Sequence, residues 1–124
     1  MAKLPEEVKS AIEKQDVIPV ATSDQDCMPN VVYIAYLKVM DDETILIADN
    51  YLDKTRKNIL SNGNISFVVH DDDKGSYQIK GKAQRFTEGE MFEEVKKWVS
   101  DKLPKEAAVV MKVEKVYNGA KWIS

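Results

Sequence analysis

The chain has a single cysteine, Cys27, and a single histidine, His70. One thiol excludes an intramolecular disulfide and fits a reducing compartment. Cys27 has no CxxC partner and belongs to no Cys–His–Asn arrangement, so it is read as incidental to the Met28-Pro29 turn. His70 is followed by Asp71, Asp72 and Asp73. Neighbouring residues at a strand end point in different directions, and no second imidazole exists to complete an ordinary metal set. No metal site is expected. No apolar run approaches the roughly 20 residues a membrane helix needs. The opening residues, Met1-Ala2-Lys3-Leu4-Pro5-Glu6-Glu7, lack the apolar stretch of a signal peptide. The expectation is a cytoplasmic protein with no membrane partner. HExxH, GxSxG, Walker A and GxGxxG patterns are all missing. A formal net charge of −3 and a pI near 5.2 oppose generic nucleic-acid binding, so no nucleic-acid partner is expected. With no side-chain catalyst in view, no catalytic residue is assigned, and any chemistry belongs to a bound cofactor.

What is present describes one globular domain spanning residues 1–124, with 44% hydrophobic and 31% charged residues. Pro5–Lys14 has a helical apolar face of Val8, Ala11 and Ile12, with Glu6 and Glu7 at its positive end. Strands are predicted over Val17–Thr22, Asn30–Met40, Thr44–Ala48, Ile65–His70, Ser76–Phe86 and Ala107–Tyr117, with Gly81 as a bend or bulge. A helix is predicted over Glu88–Lys102, where Met91, Phe92, Val95, Trp98 and Val99 share one face and read as core. Asn118-Gly119 turns into a short tail in which Trp122 stacks on a ligand or packs on a partner subunit, packing being the default reading. Short turns between successive strands imply antiparallel hairpins. The predicted fold is mainly β with α, a six-stranded antiparallel split β-barrel with flanking helices, since curling a sheet hides its edges.

Asp53-Lys54-Thr55-Arg56-Lys57-Asn58-Ile59 places three cations and a hydroxyl where the Thr44–Ala48 strand passes into a helix ending at Asn62-Gly63. Two readings are open. One is a solvated basic turn. The other is a phosphate seat, with Asp53 capping the helix and the free N–H groups, Lys54 and Thr55 converging on one anion.

Three patterns resemble the flavin mononucleotide (FMN)-binding split barrels related to pyridoxamine 5′-phosphate oxidase, above all the short single-domain members. Val20-Ala21-Thr22-Ser23-Asp24 followed by Met28-Pro29-Asn30-Val31-Val32 is similar to their opening hairpin. Lys54-Thr55-Arg56-Lys57-Asn58-Ile59 is similar to their phosphate turn, and Ile79-Lys80-Gly81-Lys82-Ala83 to a glycine-containing strand. Together they span most of Val17 to Val99.

The resemblance implies FMN as cofactor. It implies Lys54 and Thr55 at the phosphate, Val31, Val32 and Tyr33 along the isoalloxazine, and Ala48, Asp49 and Asn50 beneath the ring and ribityl chain. It also implies a homodimer with flavin at the seam, Leu103-Pro104-Lys105 closing the site from the partner subunit, and a redox partner or nicotinamide donor. Asn30 stands where the oxidases proper carry an arginine, and the chain ends at Trp122-Ile123-Ser124 without their arginine/histidine substrate motif. Oxidation of pyridoxamine phosphate is therefore not expected. The expected function is a flavoprotein that transfers electrons or hydride. The alternatives are a non-catalytic module holding FMN, the deazaflavin coenzyme or haem, and a barrel that has lost its ligand.

Overall fold

Residues 2–124 are described by the computed structural model; Met1, part of the expected 1–124 span, lies outside them. In chain order the elements are α1 (Glu6–Glu13), β1 (Ile18–Ser23), β2 (Pro29–Ile34), β3 (Leu37–Asp41), β4 (Thr44–Asp49), α2 (Lys54–Ser61), β5 (Asn64–Asp71), β6 (Gly75–Phe86), α3 (Glu90–Trp98), β7 (Ala107–Asn118) and β8 (Lys121–Trp122). Every pairing is antiparallel. The strands run β2-β1-β5-β6-β7-β4-β3, with β8 added beside β7. No ladder joins the two ends of this path, β2 and β3, so the curled sheet is a split barrel.

The expected six strands become eight for two reasons. The long Asn30–Met40 strand breaks at Ala35 and Tyr36, which lets β2 pair with β1 and β3 pair with β4 on opposite sides of the opening. Tyr36 is held there by the Ala48 N–H, which donates to its carbonyl at 3.0 Å, and by an edge-on ring contact with Trp98 at 5.4 Å. No glycine or proline marks this corner. The tail adds β8.

Helix α3 is shorter than the predicted Glu88–Lys102. Gly89 precedes it with a φ of 96°, and Val99 leaves it in an extended conformation. Its predicted apolar residues do pack as expected. Val95 and Val99, with Met91, Phe92 and Trp98 around them, cover Leu46, Ala48, Ala108 and Val110. The main core fills the barrel with Val20, Phe67, Tyr77, Ile79 and Met111, closed by Val8, Ala11 and Ile12 of α1. Strand β4 lies between these two cores and is buried along its whole length. The bulge expected at Gly81 lies on the strand facing it: Lys80 pairs with Lys115 and Gly81 with Val113, which leaves Glu114 of β7 unpaired, and a Cβ on Gly81 would stand 2.1 Å from the Lys112 carbonyl oxygen.

Candidate functional site

Short polar side chains tie the start of α2 to the β1–β2 hairpin. Asn30 on β2 donates from Nδ2 to Thr55 Oγ1 at 3.0 Å and to Thr22 Oγ1 at 3.3 Å. Asn58, one turn along α2, donates to the same Thr22 oxygen at 3.0 Å. Thr22, Thr55 and Asn58 are all buried, and a buried amide or hydroxyl must be hydrogen-bonded to be tolerated. The asparagine of the basic turn therefore works as a clamp. No donation from the Thr55 hydroxyl occurs among the described contacts.

A second clamp anchors the same helix to the sheet. Asp49, at the end of β4, is fully buried. Its carboxylate accepts from Arg56 Nε at 2.9 Å and Nη2 at 3.0 Å, and from Arg85 Nε on β6 at 2.9 Å. The Leu52 N–H donates to it at 3.2 Å. Arg56 also reaches Glu106, at the threshold of β7. Burial pushes the Asp49 carboxyl up, but the hydrogen bonds and charges of Arg56 and Arg85 outweigh it and hold it below the usual carboxylate range. Opposite charges at hydrogen-bond distance favour the ionised form.

These clamps leave the first turn of α2 open. The predicted Asp53 cap does not form: Asp53 occupies the N-cap position without a side-chain bond to the helix, and its carboxylate lies 3.5 Å from Lys57 Nζ instead. Arg56 and Lys57 are thus both engaged with carboxylates. Lys54 makes no ion pair among the described residues. An uncapped helix start beside a free ammonium is an electropositive corner.

That corner closes one end of a cavity of about 360 Å³. Lys54 and Thr55 stand at this end; Val32, Ile34 and Tyr36 form one wall; Ala48, Asn50 and Leu52 form the other. The cavity occupies the opening of the split barrel. Because β2 is the last strand of the sheet path, half of its backbone groups have no ladder partner and remain available as donors and acceptors. Among the described lining residues there is no histidine or cysteine.

Six of the eight residues singled out from the sequence line this cavity: Val32, Tyr33, Ala48, Asn50, Lys54 and Thr55. Two do not. Val31 points to the opposite face of β2 and is 66% exposed, while Asp49 spends its carboxylate on the two arginines. Strand alternation separates Val31 from Val32, because neighbouring residues face opposite sides of a sheet. Leu103 lines the cavity of its own chain, and the Lys105 N–H donates to Asn50 Oδ1 at 3.0 Å. Sequence reasoning missed the lining residues Tyr36, Tyr51 and Leu52 and the Arg85–Asp49–Arg56–Glu106 chain. An acidic residue ending an otherwise apolar strand, seven positions before an arginine, was the available signal for the latter.

The model of the family described as pyridoxamine 5′-phosphate oxidase matches residues 4–119. The uncharacterized protein MJ0282 of Methanocaldococcus jannaschii is 37% identical over 123 residues, which cover 95% of this chain and 82% of that protein. A crystal structure of HupZ from Group A Streptococcus superposes with a TM-score of 0.87 at 29% identity, covering 98% of each chain. An FMN-binding protein from Syntrophomonas wolfei shares the fold, with a TM-score of 0.74 at 24% identity over 90% of this chain and 83% of that one. With the family model covering nearly the whole length, this chain belongs to the pyridoxamine 5′-phosphate oxidase family.

Proposed function

We propose that this protein is a homodimeric FMN-binding flavoprotein that transfers electrons or hydride. The observation that carries this reading is the cavity's make-up: a mainly apolar lining from β2, β4 and the loop after β4, joined by Lys54, the Thr55 hydroxyl and the uncapped start of α2, where the Asp53 carboxylate is shared with Lys57. FMN has matching parts, a planar ring system and a terminal phosphate. The cavity volume falls within the range of small-molecule sites, and convergent polar groups at one end of an apolar slot are what orient such ligands. FMN held there would supply the redox chemistry, and the backbone groups of β2 without a ladder partner would be available to it as donors and acceptors. A second copy of the chain is the natural cover for the outer face of β2, where Val31 is 66% exposed.

The absence of histidine and cysteine from the described lining supports a second reading, a module that holds FMN or the deazaflavin coenzyme without turnover. Haem fits this chain less well, because His70 lies on the β5–β6 hairpin and not on the cavity wall. Titration of the purified protein with FMN and with riboflavin tests the site. Lys54→Ala removes a charge-assisted contact worth about 1.5–3 kcal/mol, so FMN affinity is expected to fall about tenfold or more. Riboflavin, which has no phosphate, should keep its affinity. Equal weakening of both ligands overturns the assignment. Reduction of the loaded protein by NAD(P)H then separates the enzyme from the carrier, and sedimentation tests the dimer.

A further inference from the structure

A second hollow, of about 510 Å³, lies beyond Lys54, and Lys54 lines both this hollow and the cavity. One wall is α2. Lys54, Lys57, Asn58 and Ser61 all line the hollow, and their i, i+3, i+4, i+7 spacing puts them on one helix face. The other wall is the end of the β1–β2 hairpin, with Met28 and Asn30. Asn30 alternates with Val32 and Ile34, which line the cavity, so one face of β2 runs from the first space into the second. This face is the one opposite Val31, and so opposite the surface assigned to a second copy. Between the two spaces stands the Asn30–Thr55 hydrogen bond at 3.0 Å, with Thr55 lining the cavity and Asn30 the hollow. The lining of the hollow is mostly polar. Its cations are Lys54, which makes no ion pair among the described residues, and Lys57, whose 3.5 Å contact with Asp53 joins side chains 76% and 74% exposed. A pair so exposed contributes little, so Lys57 can exchange Asp53 for another anion. Gln25 and Asp26 are exposed at the hairpin tip. Asp24 braces that tip, accepting from the Asp26 N–H at 2.8 Å and the Met28 N–H at 2.9 Å.

We infer that the hollow takes the nucleoside phosphate half of a flavin dinucleotide, so that FAD, and not FMN alone, can fill both spaces. This rests on the reading that Lys54 meets the flavin phosphate. A phosphate at Lys54 is at the junction of the two spaces, and a group attached to it has the hollow to enter. Lys57, one turn along α2 on the same face, is placed for a second phosphate. At the hairpin tip, Gln25 and Asp26 supply acceptors for ribose hydroxyls, the part an acidic side chain plays in other dinucleotide sites. Met28 and Pro29 add an apolar surface for a flat base. The volume is that of a small-molecule site. An acidic extension, such as the oligoglutamate tail of the deazaflavin coenzyme, fits less well. Asp24 and Asp26 line the hollow and Asp53 adjoins Lys57, so such a tail would meet charges of its own sign.

The test is calorimetric titration of the full chain with FMN and with FAD. The FMN phosphate carries about two negative charges at neutral pH, whereas the flavin phosphate of FAD, being a diester, carries about one. Held by its flavin half alone, FAD would therefore bind more weakly than FMN. With its second half seated, it is expected to bind at least as tightly. Lys57→Ala should weaken FAD by about tenfold and FMN by less than about twofold, and Lys57→Arg should keep the FAD affinity. Ser61→Trp fills the hollow and should also weaken FAD by about tenfold, again with FMN nearly unchanged. Lys57 and Ser61 are both exposed, so these variants should melt with the wild type. Weaker binding of FAD than of FMN, an FAD affinity untouched by either Lys57→Ala or Ser61→Trp, or tighter binding of the deazaflavin coenzyme than of FAD would each overturn the inference. If FMN binds and FAD does not, this inference falls and the FMN reading stands. If neither flavin binds, both fall.

Discussion

Asn30 donates its side-chain amide to Thr55 Oγ1 at 3.0 Å, so the hydroxyl at the cavity's electropositive end is held as an acceptor. Its own proton is thereby directed elsewhere, and Thr55 lines the cavity. One side chain can then join β2 to α2 and also donate to an anion. Thr55→Val keeps the shape and removes both functions. Its FMN affinity should fall about tenfold, with a much smaller change for riboflavin, and urea denaturation should show a loss of about 1–3 kcal/mol from the orphaned Asn30 amide. Thr55→Ser should restore both quantities. If the valine variant binds FMN normally, the hydroxyl does not meet the phosphate.

Asp49 is the residue on which acid stability should turn. Asp49→Asn leaves Arg56 and Arg85 with an uncharged partner in a buried place, and breaking such a set costs about 3–5 kcal/mol. The wild-type carboxyl titrates below its unfolded value. Its contribution is therefore complete above the ordinary carboxylate pKa of about 3.9 and is lost as pH falls through the depressed folded value. Stability curves between about pH 5 and pH 2 should be steeper in the wild type than in Asp49→Asn. Parallel curves would show that the ion-pair chain contributes nothing to acid unfolding.

Gly81→Ala places a methyl group where the Lys112 carbonyl oxygen stands, 2.1 Å away on the present backbone. Main chain must move, so the loss should exceed about 3 kcal/mol, beyond ordinary overpacking. Gly89→Ala is the contrasting control. Its Cβ would meet nothing within 4 Å, and only the backbone conformation, φ 96° and ψ −175°, opposes it, so the loss should be about 1–3 kcal/mol, smaller than that of Gly81→Ala. Chemical denaturation of the two variants distinguishes close approach from backbone conformation.

A carboxylate introduced at Val32 should expel flavin, because Val32 lines the cavity wall and a buried charge without a partner is costly. His70→Ala and Cys27→Ser should leave flavin content and reduction potential unchanged. His70 bonds Ser76 at 2.8 Å and Asp72 at 3.1 Å on the β5–β6 hairpin, and Cys27 is exposed in the β1–β2 turn. Absorbance of the purified variants and redox titration check all three. A large shift in the histidine or cysteine variant alone would place the flavin elsewhere in the barrel.

Features set by neighbours in sequence were the ones legible without a structure. The apolar face of α1, the packing stripe of α3, the hairpins and the bulge facing Gly81 all follow from periodicity and turn residues. The break at Ala35-Tyr36 was hidden, because it arises from the opposite pairing of β2 and β3 and from the distant Trp98 ring. The missing Asp53 cap was hidden for a similar reason: a charge-run argument cannot decide whether a carboxylate turns to its own helix start or to Lys57. At the candidate site the basic turn was visible as chemistry, but its division of labour was not. Arg56 looked equivalent to Lys54 until Asp49 and Glu106 claimed it. The double-sided burial of β4 could have warned that any acid at its end needs cationic partners.

The opening between β2 and the β3–β4 hairpin also bears on how the molecule breathes. Strand β2 is held by β1 alone, whereas β6 is paired along both edges. Its amides should exchange with solvent through local fraying, well before the β6–β7 ladder opens. An occupant of the cavity would touch Val32 and Ile34 on one side and Ala48 and Asn50 on the other, bridging two elements that share no hydrogen bonds. It would thus act as the rung missing from the barrel. At a hundredfold excess over its dissociation constant, such a ligand adds about 2.7 kcal/mol to the cost of opening. Slowed exchange should then appear in β2, which is paired along one edge only.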